Sequence, residues 1–95
     1  MNVFSIIEEA IESQQILKIS YGGSSREIEP HMLGYNLKGN LTLSAFQISG
    51  GSGIGFRSFL VDQIVGIELT GEIFAGPRSG YNPNDESMRD ILVRL

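Results

Sequence analysis

The segment ILKISYGGSSREIEP, residues 16–30, decides the fold. Leu17, Ile19 and Tyr21 alternate with polar side chains, and this period of two is typical of a half-buried strand. The Gly-Gly-Ser-Ser sequence of residues 22–25 favours a turn, because glycine adopts positive φ without strain. The segment therefore predicts a β-hairpin whose return strand covers residues 26–29. That strand is expected to end at Pro30, which has no backbone N–H to donate.

Upstream of this hairpin, residues 2–15 have the 3.6-residue period of an amphipathic helix. Its apolar positions share one face, and they are Val3, Phe4, Ile7, Ala10 and Ile11. Glu8, Glu9 and Glu12 fall on other faces. Asn2 is the predicted N-cap, because its position fits the apolar face better than a cap at Ser5.

Downstream, short strands recur at intervals of about ten residues. A second hairpin is predicted around residues 38–40, between strands at 32–37 and 40–49. The second of these strands carries few charges on either face, which predicts a central position in the sheet. Residues 49–55, SGGSGIG, are expected to form a mobile loop. Further strands are predicted at 56–61 and 64–70, with a tight turn at Asp62-Gln63.

The last segment, residues 71–95, contains turn signals at Gly76-Pro77 and Asn82-Pro83. Residues 91–95 fit either a strand or a short helical face, and we favour a strand. The whole pattern predicts a single mainly β domain of the α+β class over residues 1–95. One N-terminal helix precedes a small, strongly bent antiparallel sheet or barrel at about residues 16–70.

Composition excludes several functional classes. The 95 residues contain no cysteine, which rules out disulfide scaffolds and cysteine nucleophiles. The net charge of −4 opposes non-specific attraction to a phosphate backbone. The N-terminus lacks the basic region of a signal peptide, and no apolar run approaches the ~18 residues of a membrane span. A soluble cytoplasmic protein without membrane contact is expected.

Catalytic and cofactor motifs are weak in this chain. His31 is the only histidine, and a lone histidine does not make a structural metal site. Glu29 or Asp62 would have to join His31 in a catalytic site. Residues 51–55, GSGIG, lack the lysine and the following helix of a phosphate-binding loop. We therefore predict no catalytic residue, no metal and no cofactor.

Arginines within strands indicate binding instead. Arg57 lies between Phe56 and Phe59 in a strand with apolar residues on both faces. An arginine in that setting either pairs with a carboxylate or lines a recess that receives an anion. Tyr21, Tyr35 and Phe46 offer either stacking surfaces for a ring or ordinary core packing.

Several segments, in order, resemble the WYL domain of bacterial transcription regulators and phage-defence proteins. The matching segments are ILKISY at 16–21, REIEPH at 26–31, LGY at 33–35, LTLSAFQ at 41–47 and FRSFLVDQI at 56–64. The family's Trp-Tyr-Leu is here Leu41-Thr42-Leu43, and Gln63 replaces an arginine. The Pro30-His31 and Ala45-Phe46-Gln47 segments resemble a short, stand-alone WYL-like subgroup that lacks a helix-turn-helix domain, as do the tail segments FAGPR at 74–78 and YNPND at 81–85.

The resemblance implies an SH3-like, Sm-like barrel that binds a negatively charged ligand or nucleic acid and switches a partner. Transferred by position, the implied ligand-binding residues are Tyr21, Arg26, His31, Tyr35, Gln47 and Arg57. In that site the arginines would neutralise charge, His31 and Gln47 would form hydrogen bonds, and a tyrosine would stack. Anion binding is then expected to weaken as the pH rises through the pKa of His31.

Three functions follow as hypotheses. The first is a non-catalytic sensing or regulatory module for a small anionic or polar ligand, linked to transcription regulation or phage defence. The second is a single-stranded nucleic-acid-binding barrel with a phosphate track formed by Lys18, Arg26, Lys38 and Arg57. The third is a ligand-free homodimer or a module that docks a partner protein.

Overall fold

The computed structural model describes residues 2–95 as one helix followed by six strands. The helix and first strands are α1 (Val3–Glu12), β1 (Gln15–Tyr21), β2 (Ser24–Asn36) and β3 (Leu41–Gly50). They are followed by β4 (Gly55–Leu60), a 3₁₀ turn (Val61–Gln63), β5 (Gly66–Ile73) and β6 (Met88–Arg94). The predicted mainly β domain with one N-terminal helix is confirmed.

The N-terminal helix is shorter than predicted. Asn2 caps it as expected, because its side-chain oxygen accepts a hydrogen bond from the Ser5 N–H at 2.8 Å. The helix ends at Glu12, and the Ser13 N–H closes it by donating to the Glu9 carbonyl oxygen. Gln14 then adopts a positive φ of 53°, which reverses the chain into β1. The predicted extension to residue 15 is therefore wrong.

The strands form one antiparallel sheet in the order β4-β3-β2-β1-β5, and β6 pairs with β2. Strand β2 is 13 residues long and has two neighbours along the same edge. Its first half pairs with β1 and its second half with β6, while β3 runs along the opposite edge. Within residues 2–95 the sheet is bent but not closed, because β4 and β5 at its two ends do not pair.

Pro30 does not end a strand, and that prediction is wrong. It lies where the neighbour of β2 changes from β1 to β6 and where the register with β3 shifts between Pro30 and Met32. A residue without an N–H is tolerated at such an irregularity. The shift leaves His31 without a register partner on β3.

The remaining boundaries follow the predictions closely. The hairpin turn between β2 and β3, the loop between β3 and β4, and the strand at the C-terminus are present. Strand β5 continues to Ile73, three residues beyond its predicted end at Thr70. The core lies between α1 and the concave face of the sheet, where Ile7, Ile11, Leu17, Ile28 and Leu43 are almost completely buried.

Candidate ligand-binding site

Arg26 on β2 and Arg57 on β4 border the glycine-rich loop between β3 and β4. A Cβ atom added at Gly51, which has a φ of 52°, would overlap the guanidinium of Arg26. On the other side of the loop, Arg57 Nε donates to Ser52 Oγ at 2.8 Å. The loop therefore separates two guanidinium groups that come from different strands.

Arg26 is held by contacts on the concave side of the sheet. Its Nε donates to the Tyr21 carbonyl oxygen at 3.2 Å. Its guanidinium carbon lies 5.6 Å from the Tyr21 ring centre and 5.7 Å from that of Phe59. Tyr21 is fixed in turn, because its hydroxyl accepts the Leu60 N–H at 3.1 Å. These contacts favour one guanidinium position and lower the entropy cost of binding an anion.

Gln47 links the two arginines through the loop. Its side-chain oxygen accepts from Arg26 Nη1 at 3.1 Å, and its Nε2 donates to the carbonyl oxygens of Gly50 and Gly53 at 2.9 and 2.6 Å. The Gly53 carbonyl oxygen also receives Arg57 Nη2 at 3.4 Å. Gln47 is fully buried, and its hydrogen bonds to the two carbonyl oxygens hold the loop in position.

Both guanidinium groups at this loop lack a carboxylate partner. Within residues 2–95 the ion pairs are Arg78–Glu29 and Arg89–Asp90. Arg26 and Arg57 donate only to carbonyl, amide and hydroxyl oxygens. The sequence predicts that Arg57 either pairs with a carboxylate or lines a recess. Within residues 2–95, the structure shows no carboxylate partner for it.

A concavity of about 300 Å³ lies beside Arg57. Ser44 and Ser58 form a cross-strand pair at its base. The lining residues are Met32, Ser44, Phe56, Arg57, Ser58, Gly80, Tyr81, Asn82 and Asp85. The volume corresponds to the smaller end of the range for ligand pockets. Hydroxyl, amide and guanidinium groups, together with the Asp85 carboxylate, make the concavity suitable for a small polar molecule.

His31 is fully buried and contacts Phe56 and Tyr81, which line the concavity beside Arg57. Its Nδ1 donates to the Glu29 carbonyl oxygen at 2.8 Å, and its Nε2 accepts the Arg78 N–H at 3.0 Å. The two partners require the neutral Nδ1–H tautomer. Burial lowers the pKa of His31 below its usual 6.5, against the opposite effect of the nearby Glu29. Both ring nitrogens of His31 thus have hydrogen-bond partners within the protein.

Arg78 is an important residue that the sequence reasoning did not select. Its Nε and Nη2 donate to the two carboxylate oxygens of Glu29 at 2.8 and 3.0 Å. Its guanidinium carbon lies 4.4 Å above the Phe46 ring centre, and hydrogen bonding to Glu29 raises its pKa. Arg78 lies 49 residues from Glu29 in sequence, and the only signal was the position of Gly76-Pro77-Arg78 within the tail resemblance.

Tyr35 also lies away from the arginines. It pairs with Leu41 at one end of β2, whereas Arg26 pairs with Gly50 at the other end. Its exposed fraction is 37%. The structure therefore brings Tyr21, Arg26, Gln47 and Arg57 to one loop and places Tyr35 at the other end of β2. His31 contacts two residues that line the concavity, Phe56 and Tyr81.

The four cations considered for a phosphate track are dispersed. Lys18 pairs in register with Glu27 on β2 and with Glu68 on β5, so a carboxylate flanks it on each side. Lys38 lies in the turn after β2, at the end of the strand opposite to Arg26. Only Arg26 and Arg57 share a location.

Residues 2–95 contain neither a metal-binding cluster nor a membrane-spanning helix. No group of three or more histidine, cysteine or acidic side chains is placed to hold a metal ion in this part of the chain. The single helix described there, with 10 residues, is too short to cross a lipid bilayer.

The fold defines a small α+β domain with a bent antiparallel sheet. No protein-family model and no curated protein matches the chain. Among solved structures it is similar to Proteasome accessory factor B/C (PafBC) of Arthrobacter aurescens, with a TM-score of 0.70 and 21% sequence identity. The match covers 85% of this chain and 13% of PafBC, so this chain spans a small part of that protein's length. At 21% identity the similarity shows a shared fold.

Proposed function

We propose that this chain is a non-catalytic, WYL-like regulatory module that binds a small anionic or polar ligand through Arg26 and Arg57. The observation that carries the proposal is the pair of half-buried guanidinium groups at one loop. Within residues 2–95 neither group has a carboxylate partner. The cellular process, whether transcription regulation or phage defence, is an expectation from the family resemblance alone.

Electrostatics supports an anion at this loop. A partly desolvated guanidinium gains more from a charged acceptor than from a carbonyl oxygen, because charge-assisted hydrogen bonds are roughly twice as strong as neutral ones. Arg26 Nη2 makes no hydrogen bond within residues 2–95, so a donor is free for an incoming oxygen. The chain carries a net charge of −4, which makes a local cation pair the favoured place for a small anion over a long polyanion.

Geometry separates the roles of the four residues. Arg26 and Arg57 would contact the ligand. Gln47 and Tyr21 would hold the arginines and the loop in position, since Gln47 is fully buried and the Tyr21 hydroxyl already accepts the Leu60 N–H. His31 is left out of the proposed site, because both of its ring nitrogens have partners within the protein.

The test is a titration followed by NMR amide shifts and by isothermal calorimetry. The probes are inorganic phosphate, a nucleoside monophosphate and a single-stranded oligonucleotide, each at low and moderate salt. We expect phosphate or the nucleotide to shift the amides of residues 50–57. Arg57→Gln and Arg26→Gln should each weaken binding about tenfold, since a charge-assisted hydrogen bond contributes about 1.5 kcal/mol or more.

Arg89→Gln is the matched control, because Arg89 is an exposed arginine that already pairs with Asp90 at 3.0 Å. Equal weakening by Arg89→Gln would show that only net charge matters and would refute a site at the loop. Binding of the oligonucleotide without binding of phosphate or nucleotide would favour the nucleic-acid alternative. If no probe binds, the proposed ligand site is refuted, and the ligand-free interaction module is favoured instead. Light scattering on the same samples tests whether that module is a homodimer.

A further inference from the structure

Residues 74–87, which we call the strap, connect β5 to β6 and pack against Phe46 and His31 of the sheet. The strap begins at α1 and β1, where the Phe74 N–H donates to the Gln14 carbonyl oxygen at 2.9 Å. The Gln14 side chain donates to the Phe74 carbonyl oxygen at 3.1 Å. At its far end the strap leads directly into β6, which pairs with β2. Between these two ends, the Arg78 side chain pairs with Glu29 on β2, and one backbone N–H of the strap has an anchor of its own.

That anchor is the ring of His31. Beside its hydrogen bond from the Arg78 N–H, the ring stacks on Phe74 at 5.8 Å and meets the Tyr81 ring edge-to-face at 5.1 Å. Phe56 from β4 contacts it edge-to-face at 5.3 Å. The strap thus closes around a fully buried histidine that accepts one of its backbone N–H groups.

We propose that His31 is a proton-operated latch, which holds the strap on the sheet when neutral and releases it when protonated. Protonation turns Nε2 from an acceptor into a donor that faces the Arg78 N–H donor. The hydrogen bond is then lost, and a charge is placed among three aromatic rings without an acceptor on that side. Release exposes the ring to water, where the imidazolium is stable.

Charged groups around His31 do not cancel this effect. Glu29, two residues before His31 on β2, favours the protonated form of His31. The Glu29 carboxylate, however, already accepts two hydrogen bonds from Arg78. Arg78 opposes protonation. The Tyr81 hydroxyl lies 3.5 Å from the His31 carbonyl oxygen, and burial keeps its pKa above the usual value, so it stays neutral. Phe56 and Phe74 carry no charge.

The latch has a consequence that rests on the proposed function. Strap residues 80–82 and Asp85 line the concavity beside Arg57, so release of the strap removes one of its walls. A ligand in that concavity would favour the latched state, and acidification would oppose ligand binding.

Hydrogen exchange measured by NMR on the unliganded protein tests the latch itself. The reporter is the protection factor of the Arg78 amide, corrected for intrinsic exchange, at pH 7.5 and 5.5. Because burial lowers the pKa of latched His31 below the usual 6.5 of a released histidine, protection should fall over this range, by up to about tenfold. The Leu43 amide, in the core on β3, is the internal reference for global unfolding.

Variants separate the latch from packing. His31→Gln removes the titration, so Arg78 protection should no longer change between pH 7.5 and 5.5. Glu29→Gln removes the ion pair that also holds Arg78 but leaves the ring, so Arg78 protection should be lower at both pH values while the pH-dependent step persists. An unchanged Arg78 protection in the wild-type protein, or an equal fall at Leu43, would overturn the proposal even if a variant fails to fold. Because no ligand is present, these outcomes are independent of the phosphate titration.

Discussion

The sharpest test of the fold is a methyl group added at Gly34 in β2. A Cβ atom at this position would overlap the Asp90 carbonyl oxygen and lie 3.2 Å from the carbonyl carbon of Asp90 and from the Cα of Ile91. All three atoms belong to the backbone of β6. A side-chain tip can rotate out of such a contact, but a backbone must move as a strand. Gly34→Ala should therefore push β6 away from β2.

The magnitude follows from the cost of overpacking, which is about 1–3 kcal/mol for an added methylene. We expect about 3 kcal/mol, at the upper end, because the obstructing atoms are backbone atoms. A chain of this length has a total stability of about 5–14 kcal/mol, so the loss is a large fraction of it. The melting temperature should fall by about 12–24 °C, at about 4–8 °C for each kcal/mol.

Urea denaturation followed by far-UV circular dichroism measures the change. With an m value of about 1–3 kcal/mol per molar urea, the midpoint should fall by about 1–3 M. Gly66→Ala is the matched control, because Gly66 also lies in a strand and its Cβ would have ordinary contacts, 3.6 Å from Ser20 Oγ. That variant should be unchanged or more stable by about 0.4–1 kcal/mol. Equal midpoints for the two variants would refute the close approach of β6 to β2.

Three further predictions concern the cap, the loop and the buried histidine. Asn2→Ala removes the acceptor of the Ser5 N–H and should cost about 1 kcal/mol in urea denaturation, whereas Asn2→Asp should retain most of the stability. Gly51→Ala introduces a side chain at a φ of 52° and against Arg26, so it should cost about 1–2 kcal/mol and weaken phosphate binding in calorimetry. Because burial lowers the pKa of His31, the unfolded chain binds more protons, and the unfolding free energy should fall as the pH drops below 6.5 through the lower folded-state pKa. Urea midpoints between pH 7.5 and 5 that stay constant would contradict this last expectation.

The candidate site was only partly accessible to sequence reasoning. The resemblance selected Tyr21, Arg26, Gln47 and Arg57, and the structure places these four around one loop. Nothing in their local pattern shows that Gln47 reaches the carbonyl oxygens of Gly50 and Gly53, because a buried amide in an alternating strand looks like any other inward position. The contacts of residues 74–87 were harder to predict. Contacts between Arg78 and Glu29 join positions 49 residues apart, and no periodicity reports such a distance.

Local chemistry was sufficient to predict the helix, most of the strand segments and the hairpin turns, because hydrophobic period and glycine φ preferences act within a few neighbouring residues. Local chemistry did not predict that β2 continues through Pro30. A proline is tolerated there only because the strand on one edge changes from β1 to β6. The burial of His31 likewise depends on rings from β4 and from the strap. Tertiary packing alone decided these features, because they require partners that the chain brings together only when it is folded.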